Sequence, residues 1–314
     1  PAYHKYFTMR QTIYGFALGA GLMLLLFVFS SNLAADDNKA TLKSTSTDRI
    51  LPQIVKAPAL EAAYDFAGEP LDMQNFDVRE RLERELLRNT YFHSNTLLLM
   101  KRSARYFPVI ERILAEEGLP EDLKYIAVAE SDLLPTAVSP AGAKGFWQFM
   151  GAVGKSYGLT INAEVDERFH LEKSTRAACK HLANYRKQFG SWQLAALAYN
   201  FGEGNLRKFL RDQGGERFED LNVNDETMRY VFRLVAIKNI MEQPQEFGFY
   251  PASGDYYRPL DDYRTVEVKQ SIANLANFAK EEGISYRMLK VYNPWLISTR
   301  LTASRAGYEI KVPK

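Results

Sequence analysis

Cysteine is almost missing from this chain of 314 residues. Cys179 stands alone, so no disulfide can form within the chain. It lies in Arg176-Ala-Ala-Cys-Lys-His-Leu182, which reads as a helix holding a small, buried thiol. Histidine is scarce as well. His4, His93, His170 and His181 show neither HExxH spacing nor any other ligand pattern, which argues against a metal, and no motif asks for a cofactor. A long run of Lys and Arg is also lacking. The formal charge is +2, and without Lys5 and Arg10 the basic residues fall to 38, equal to the 38 acidic ones. Such a balance argues against nucleic acid, which is bound through concentrated positive charge.

What the chain does contain is enough to build a large core, with 46% hydrophobic and 13% aromatic residues. Its length suggests two domains with linkers. Lys5 and Arg10 precede an apolar run from Ile13 to Phe29, followed by small residues up to Ala34 and Ala35 and then Asp36 and Asp37. Residues 1–35 therefore read as a secretory signal or, if uncleaved, as a membrane anchor through residues 13–29. Export to the periplasm or cell envelope is the expectation. No cysteine closes the run, which excludes lipoprotein attachment.

Residues 36–76 are rich in Ser, Thr, Asp, Ala and Pro without sustained periodicity and read as a tether or loosely packed lead-in. From Asp77 the pattern becomes helical, with a long segment from Asn95 to Gly118 that Pro108 is expected to kink or split. Further helical patterns span Glu172–Gln188, Trp192–Tyr199, Glu203–Asp212 and Glu226–Met241, and no convincing strand interrupts them. Residues 77–245 are thus expected to form an α-helical domain, and the turn-prone residues 246–262 a linker. In residues 263–314 the pattern is strand, helix, helix, strand, a compact α+β module.

One carboxylate stands out. Leu123, Ile126, Ala127 and Glu130 fall at i, i+3, i+4 and i+7, so Glu130 shares a helix face with core residues. Burial there would raise its pKa toward the range where it donates a proton near neutrality. The plainer alternative is a helix-end glutamate that accepts a hydrogen bond from nearby backbone.

Four segments extend this reading. They are Glu130-Ser131; Gly145-Phe-Trp-Gln148 with Phe149-Met150; Ala198-Tyr-Asn-Phe-Gly202; and Glu226-Thr-Met-Arg-Tyr-Val231. In this order and spacing residues 77–241 resemble the catalytic domain of the lytic transglycosylases of bacterial cell walls, closest to the membrane-bound lytic transglycosylase D type. The family has Leu-Met where this chain has Phe146-Trp147. The resemblance implies a mainly α, lysozyme-like fold acting on peptidoglycan glycan strands. It implies that Glu130 protonates the oxygen between N-acetylmuramic acid and N-acetylglucosamine. Once ionised, Glu130 would take the proton of the muramoyl 6-hydroxyl, which closes a 1,6-anhydro ring. By the same resemblance Ser131, Gln148 and Asn200 would hydrogen-bond the sugar, Tyr199 and Tyr230 would flank Glu130, and Gly145 and Gly202 would let backbone approach it.

The residues themselves leave alternatives open. Tyr199 reads equally as core, Phe146 and Trp147 as packing, and Gln148 as an ordinary residue of a mid-domain helix. Asp132 reads as a cap or turn residue, and Glu164, Asp166 and Glu167 as a solvated acidic loop. A hydrolase on the same scaffold would need a second carboxylate across the cleft. A non-catalytic wall-binding protein would have no use for Glu130.

The carboxy-terminal module resembles a lysin-motif (LysM) domain in Thr265-Val266, the helical stretch from Ser271, Asn293-Pro294 and Tyr308–Pro313. Lys269-Gln-Ser-Ile272 stands where that family has Gly-Asp-Thr-Leu, so this loop's glycan contacts do not transfer.

Overall fold

The structure is a computed structural model and describes residues 56–314; the expected signal or anchor in residues 1–35 lies outside the described residues. The chain enters through a two-residue hairpin, β1 (Asp65–Phe66) and β2 (Glu69–Pro70). The lead-in differs here from the loose tether that its composition suggested. Tyr64, Phe66 and Leu71 are buried in the main core. Both oxygens of Glu69 accept backbone N–H groups, from Trp192 at 2.7 Å and Gln193 at 2.9 Å. A short apolar patch suffices to dock when a long-range carboxylate caps a helix for it.

Helices follow. Helix α1 (Phe76–Tyr91) starts at Asn75, whose side chain accepts from Asp77 N–H, and buries Val78, Leu82, Glu85 and Leu86 on one face. Helix α2 (His93–Glu116) runs unbroken through Pro108, so the expected split does not occur. Ile110, Ile113 and Leu114 beyond the proline are fully buried, and their packing holds the helix across one lost backbone bond. A 3₁₀ turn (Glu121–Leu123) then leads into α3 (Lys124–Ser131), and a looped segment into the short α4 (Gly151–Ser156), for which the sequence showed no periodicity. Next come α5 (Leu171–Phe189), α6 (Trp192–Phe201), α7 (Glu203–Gln213) and α8 (Asp225–Glu242). Val231, Phe232, Leu234, Val235 and Ala236 of α8 are fully buried, which makes it the central helix of the core.

The carboxy-terminal module pairs β3 (Tyr263–Val268) antiparallel with β4 (Tyr308–Pro313), in register from Tyr263 opposite Pro313 to Val268 opposite Tyr308. Helices α9 (Leu275–Glu281) and α10 (Tyr286–Tyr292) lie between them in sequence. Helix α9 begins later than its apolar pattern because Asn274 caps it, accepting from Ala276 and Asn277 N–H. Buried Asn293 ties α10 to β4, donating to Lys311 O at 2.7 Å and accepting from Lys311 N at 2.8 Å.

The module is seated on the helical part through the segment expected to be a solvated acidic loop. Val165 and Phe169 belong to the module's own core. Asp166 N–H donates to Trp295 O at 2.9 Å, and Ile297 N–H donates to Glu164 O at 3.0 Å. Asp166 and Glu167 are buried rather than solvated. Arg168 binds both oxygens of Asp166 at 2.9 and 2.7 Å, and Lys173 meets Glu167 at 2.5 Å. The acids lie inside because their cations accompany them, which spacing along the chain does not reveal.

Candidate active site

Glu130 is the penultimate residue of α3, and its side chain opens on a cleft lined by Ala129, Ser131, Asp132, Ala137, Val138, Ser139 and Gln148. Helix α3 stops abruptly there. Asp132 and Leu133 both adopt left-handed backbone, with φ of 51° and 55°. These two residues turn the chain away and leave the end of the helix at the cleft wall.

Tyr230, on α8, donates its hydroxyl to Glu130 Oε1 at 2.7 Å. Burial raises the Glu130 pKa above the usual carboxylate range, the Tyr230 bond and the charge of Arg233 oppose that rise, and Glu226 adds to it. Tyr230 is itself buried, which pushes its pKa well up and keeps it a hydrogen-bond donor. The result is a carboxyl group with one fixed donor whose acid form burial favours over that of an ordinary carboxylate.

Tyr199, on α6, donates to Trp147 O at 2.6 Å, and its ring packs against Phe149 and His181 at 6.2 and 5.2 Å between centroids. The hydroxyl therefore supports the loop, and burial pushes its pKa well above the ordinary value. Ser131 is buried, with Oγ 2.9 Å from both Ala127 O and Phe146 O. Its one proton is committed to backbone, so it joins α3 to the loop that carries Gln148. Phe146 and Trp147 are buried packing residues, and Trp147 Nε1 donates to Thr175 Oγ1 at 3.0 Å.

Gln148 does not sit in a helix. It occupies a turn with φ of 47°, and its Nε2 donates to Gly145 O at 2.8 Å and to Ala137 O at 3.3 Å. The turn is closed by bridges pairing Lys144 with Val138 and with Phe149. Gly145 is required by the protein itself: with φ of 79°, a Cβ there would lie 1.9 Å from Arg168 O. Gly202 (φ 86°) breaks the chain between α6 and α7, and a Cβ there would meet only Asn205 Nδ2 at 3.9 Å. Asn200 is exposed on the last turn of α6.

Three residues near Glu130 were given no role by the sequence reading. Val138, on the turn-rich segment, lines the cleft and is 57% exposed, an apolar wall without a partner. Glu226 and Arg233 act on Glu130 from α8. Their spacing was the available signal, since Glu226, Tyr230 and Arg233 lie at i, i+4 and i+7 on one helix face. Among the described residues no group of three or more His, Cys, Asp or Glu gathers as metal ligands would. A more enclosed cavity of about 200 Å³ lies at the module seam, lined by Tyr106, His170, Tyr263, Tyr292 and Trp295 among others. Glu130 is not part of it and lines the open cleft instead.

Residues 107–222 match the transglycosylase SLT domain, and residues 264–314 match the soluble lytic transglycosylase C-terminal LysM-like domain. Over 257 residues the chain is 30% identical to the membrane-bound lytic murein transglycosylase D of Escherichia coli K12, covering 79% of this chain and 55% of that protein. Over 104 residues it is 38% identical to the peptidoglycan transglycosylase gp16 of Escherichia phage T7, covering 32% of this chain and 8% of the phage protein. Among solved structures, the 70 kDa soluble lytic transglycosylase of Escherichia coli aligns with a TM-score of 0.39 at 22% identity, over 49% of this chain and 26% of that one. The chain spans about half the length of the E. coli membrane-bound relative, 55% of it. It carries a transglycosylase SLT domain followed by a LysM-like domain of the soluble lytic transglycosylase type.

Proposed function

We propose that this chain is a peptidoglycan lytic transglycosylase and that Glu130 is its general acid and then its general base. The observation that carries the reading is the bond from Tyr230 to a partly buried, pKa-raised Glu130 at the wall of an open cleft. The relatives named for acting on murein and peptidoglycan support the substrate class.

In the first step the Glu130 proton goes to the glycosidic oxygen between N-acetylmuramic acid and N-acetylglucosamine, and the bond to the anomeric carbon breaks. Glu130, now ionised, is held by the Tyr230 hydroxyl. It then accepts the proton of the muramoyl 6-hydroxyl as that oxygen bonds the anomeric carbon, and Glu130 returns to its acid form. No water is consumed. Alternating between acid and base favours a pKa near the working pH; burial moves Glu130 in that direction and the tyrosine limits the rise. Gln148, Asn200 and the Val138 wall are the groups available to the sugar, while Ser131, Tyr199 and Gly145 hold the loop in place.

The apolar run before residue 36 and the membrane-bound relative support an envelope location, with the LysM-like module as a second contact to glycan. Hydrolysis is the competing reading, favoured by one observation: the exposed Glu226 carboxylate acts on Glu130 and is a candidate second acid. Mass spectrometry of soluble products from purified peptidoglycan separates the two. Products ending in 1,6-anhydro-muramic acid, absent with Glu130→Gln, are expected. Products heavier by one water would establish hydrolysis instead.

A further inference from the structure

Glu85 is a charged residue of α1 with no part in the chemistry, yet it is 1% exposed and sits where α1 packs on α8. Arg229 Nε reaches its Oε1 at 2.5 Å, and Arg233 Nε lies 3.7 Å from its Oε2. Arg229 has a second acid, Asp225, at 3.6 Å. For Arg233, Glu85 is the one carboxylate within ion-pair distance among the described residues. Arg229 and Arg233 are one helical turn apart and bracket Tyr230, the residue that holds Glu130. The Arg233 charge is felt by both Tyr230 and Glu130.

A guanidinium paired with one carboxylate, whose charge also reaches a second, divides between them according to which is more firmly placed. We propose that Glu85 is a positioning residue for the Glu130 site: by holding Arg233 on the α1 side of α8, it keeps the guanidinium from pairing with Glu130 and leaves that carboxyl to Tyr230. The groups facing Glu130 are Tyr230, Arg233 and Glu226 from α8 and Tyr199 from α6. Those facing Glu85 are Arg229 and Arg233. Of these, only Arg233 faces both carboxylates, so the effect of Glu85 on Glu130 must pass through it. The inference rests on Glu130 being the proton donor, but its first test does not depend on turnover.

That test is an NMR titration of the Glu130 carboxyl in the full chain, alongside the pH–rate profile on peptidoglycan. Glu85→Gln frees Arg233 to approach Glu130 and is expected to lower the Glu130 pKa by about one unit, the low end of what an adjacent opposite charge does. The alkaline limb of activity, where the acid form is lost, then moves to lower pH. Arg233→Gln removes the charge and is expected to move both upward. In the Arg233→Gln background, adding Glu85→Gln is expected to change neither. A change of similar size in that background would show that Glu85 does not act through Arg233 and would overturn the inference. So would a Glu130 titration that Arg233→Gln leaves in place, which remains decisive should Glu85→Gln fail to fold. If the protein cleaves nothing while the titrations shift as described, the functional reading fails and the positioning inference stands.

Discussion

The cleft and the module seam both bury carboxylates, and they treat them in opposite ways. In the cleft, burial raises the Glu130 pKa and a tyrosine hydroxyl only limits the rise. At the seam, burial would raise Asp166 and Glu172 too. There Arg168 and Lys144 outweigh it at Asp166, His170 and Lys311 outweigh it at Glu172, and both carboxyls are held below their ordinary range. The lesson is that burial alone does not mark a catalytic acid. A neutral donor leaves a carboxyl able to exchange its proton, whereas a cationic partner fixes it as an ion that serves the fold.

The sharpest way to break this contrast is to remove each acid in turn. Glu130→Gln is expected to reduce cleavage by about 10²–10⁴-fold, the usual worth of a general acid–base group, without loss of folding. Near wild-type turnover in a peptidoglycan release assay would remove Glu130 from the mechanism. Asp166→Asn is expected to do the reverse. It leaves Arg168 buried without its counter-charge, at a cost of about 3–5 kcal/mol seen as a lower urea midpoint, with kcat retained in the protein that remains folded.

Tyr230→Phe comes next in size. Losing the donor that favours ionised Glu130 is expected to slow turnover by about 10–100-fold, as a charge-assisted bond of about 1.5–3 kcal/mol would. It should also move the alkaline limb of the pH–rate profile upward, since the Glu130 pKa rises further. Unfolding instead would assign Tyr230 to the core.

The smallest effect is one of stability against pH. Glu130 has a raised pKa in the folded state, so its ionised form destabilises the fold at neutral pH. That penalty vanishes once the pH falls below the unfolded value of about 4.3. Asp166 has a lowered pKa, so its contribution is complete above the unfolded value of about 3.9 and is lost as pH falls through the folded one. Glu130→Gln is therefore expected to raise Tm slightly at pH 7, with the gain closing toward pH 4 in thermal melts. For Asp166→Asn the deficit is expected to persist at pH 4 and to narrow only in stronger acid.

Much of the helical part was legible because its signal is local. Apolar residues recurring at helical spacing marked α1, α2 and α5 to α8 close to their observed ends, and alternation marked β3 and β4. The segments around the site were not legible in the same way. Gln148 read as a residue of a mid-domain helix, but Gly145 must pass under the Arg168 carbonyl and the chain turns there instead. The acids from Glu164 to Glu167 looked solvated because Arg300, Arg168 and Lys173, which bind them, come later in the chain. The same holds for Tyr64, Phe66 and Glu69, whose partners follow far along the chain, as Trp192 does for Glu69. The approach of Tyr230 to Glu130 was reachable through the motif resemblance, whereas the part of Glu85 and Arg233 rests on how α1 meets α8, and no local pattern carries that.

The most direct test of the central claim is digestion of peptidoglycan by the full chain in water enriched in heavy oxygen, reading the label at newly formed muramic acid ends. Transfer to the sugar's own 6-hydroxyl, with Glu130 as acid and base, is expected to leave those ends unlabelled. One labelled oxygen per new end would contradict it, and would mean that water, activated by a second carboxylate such as Glu226, completes the reaction.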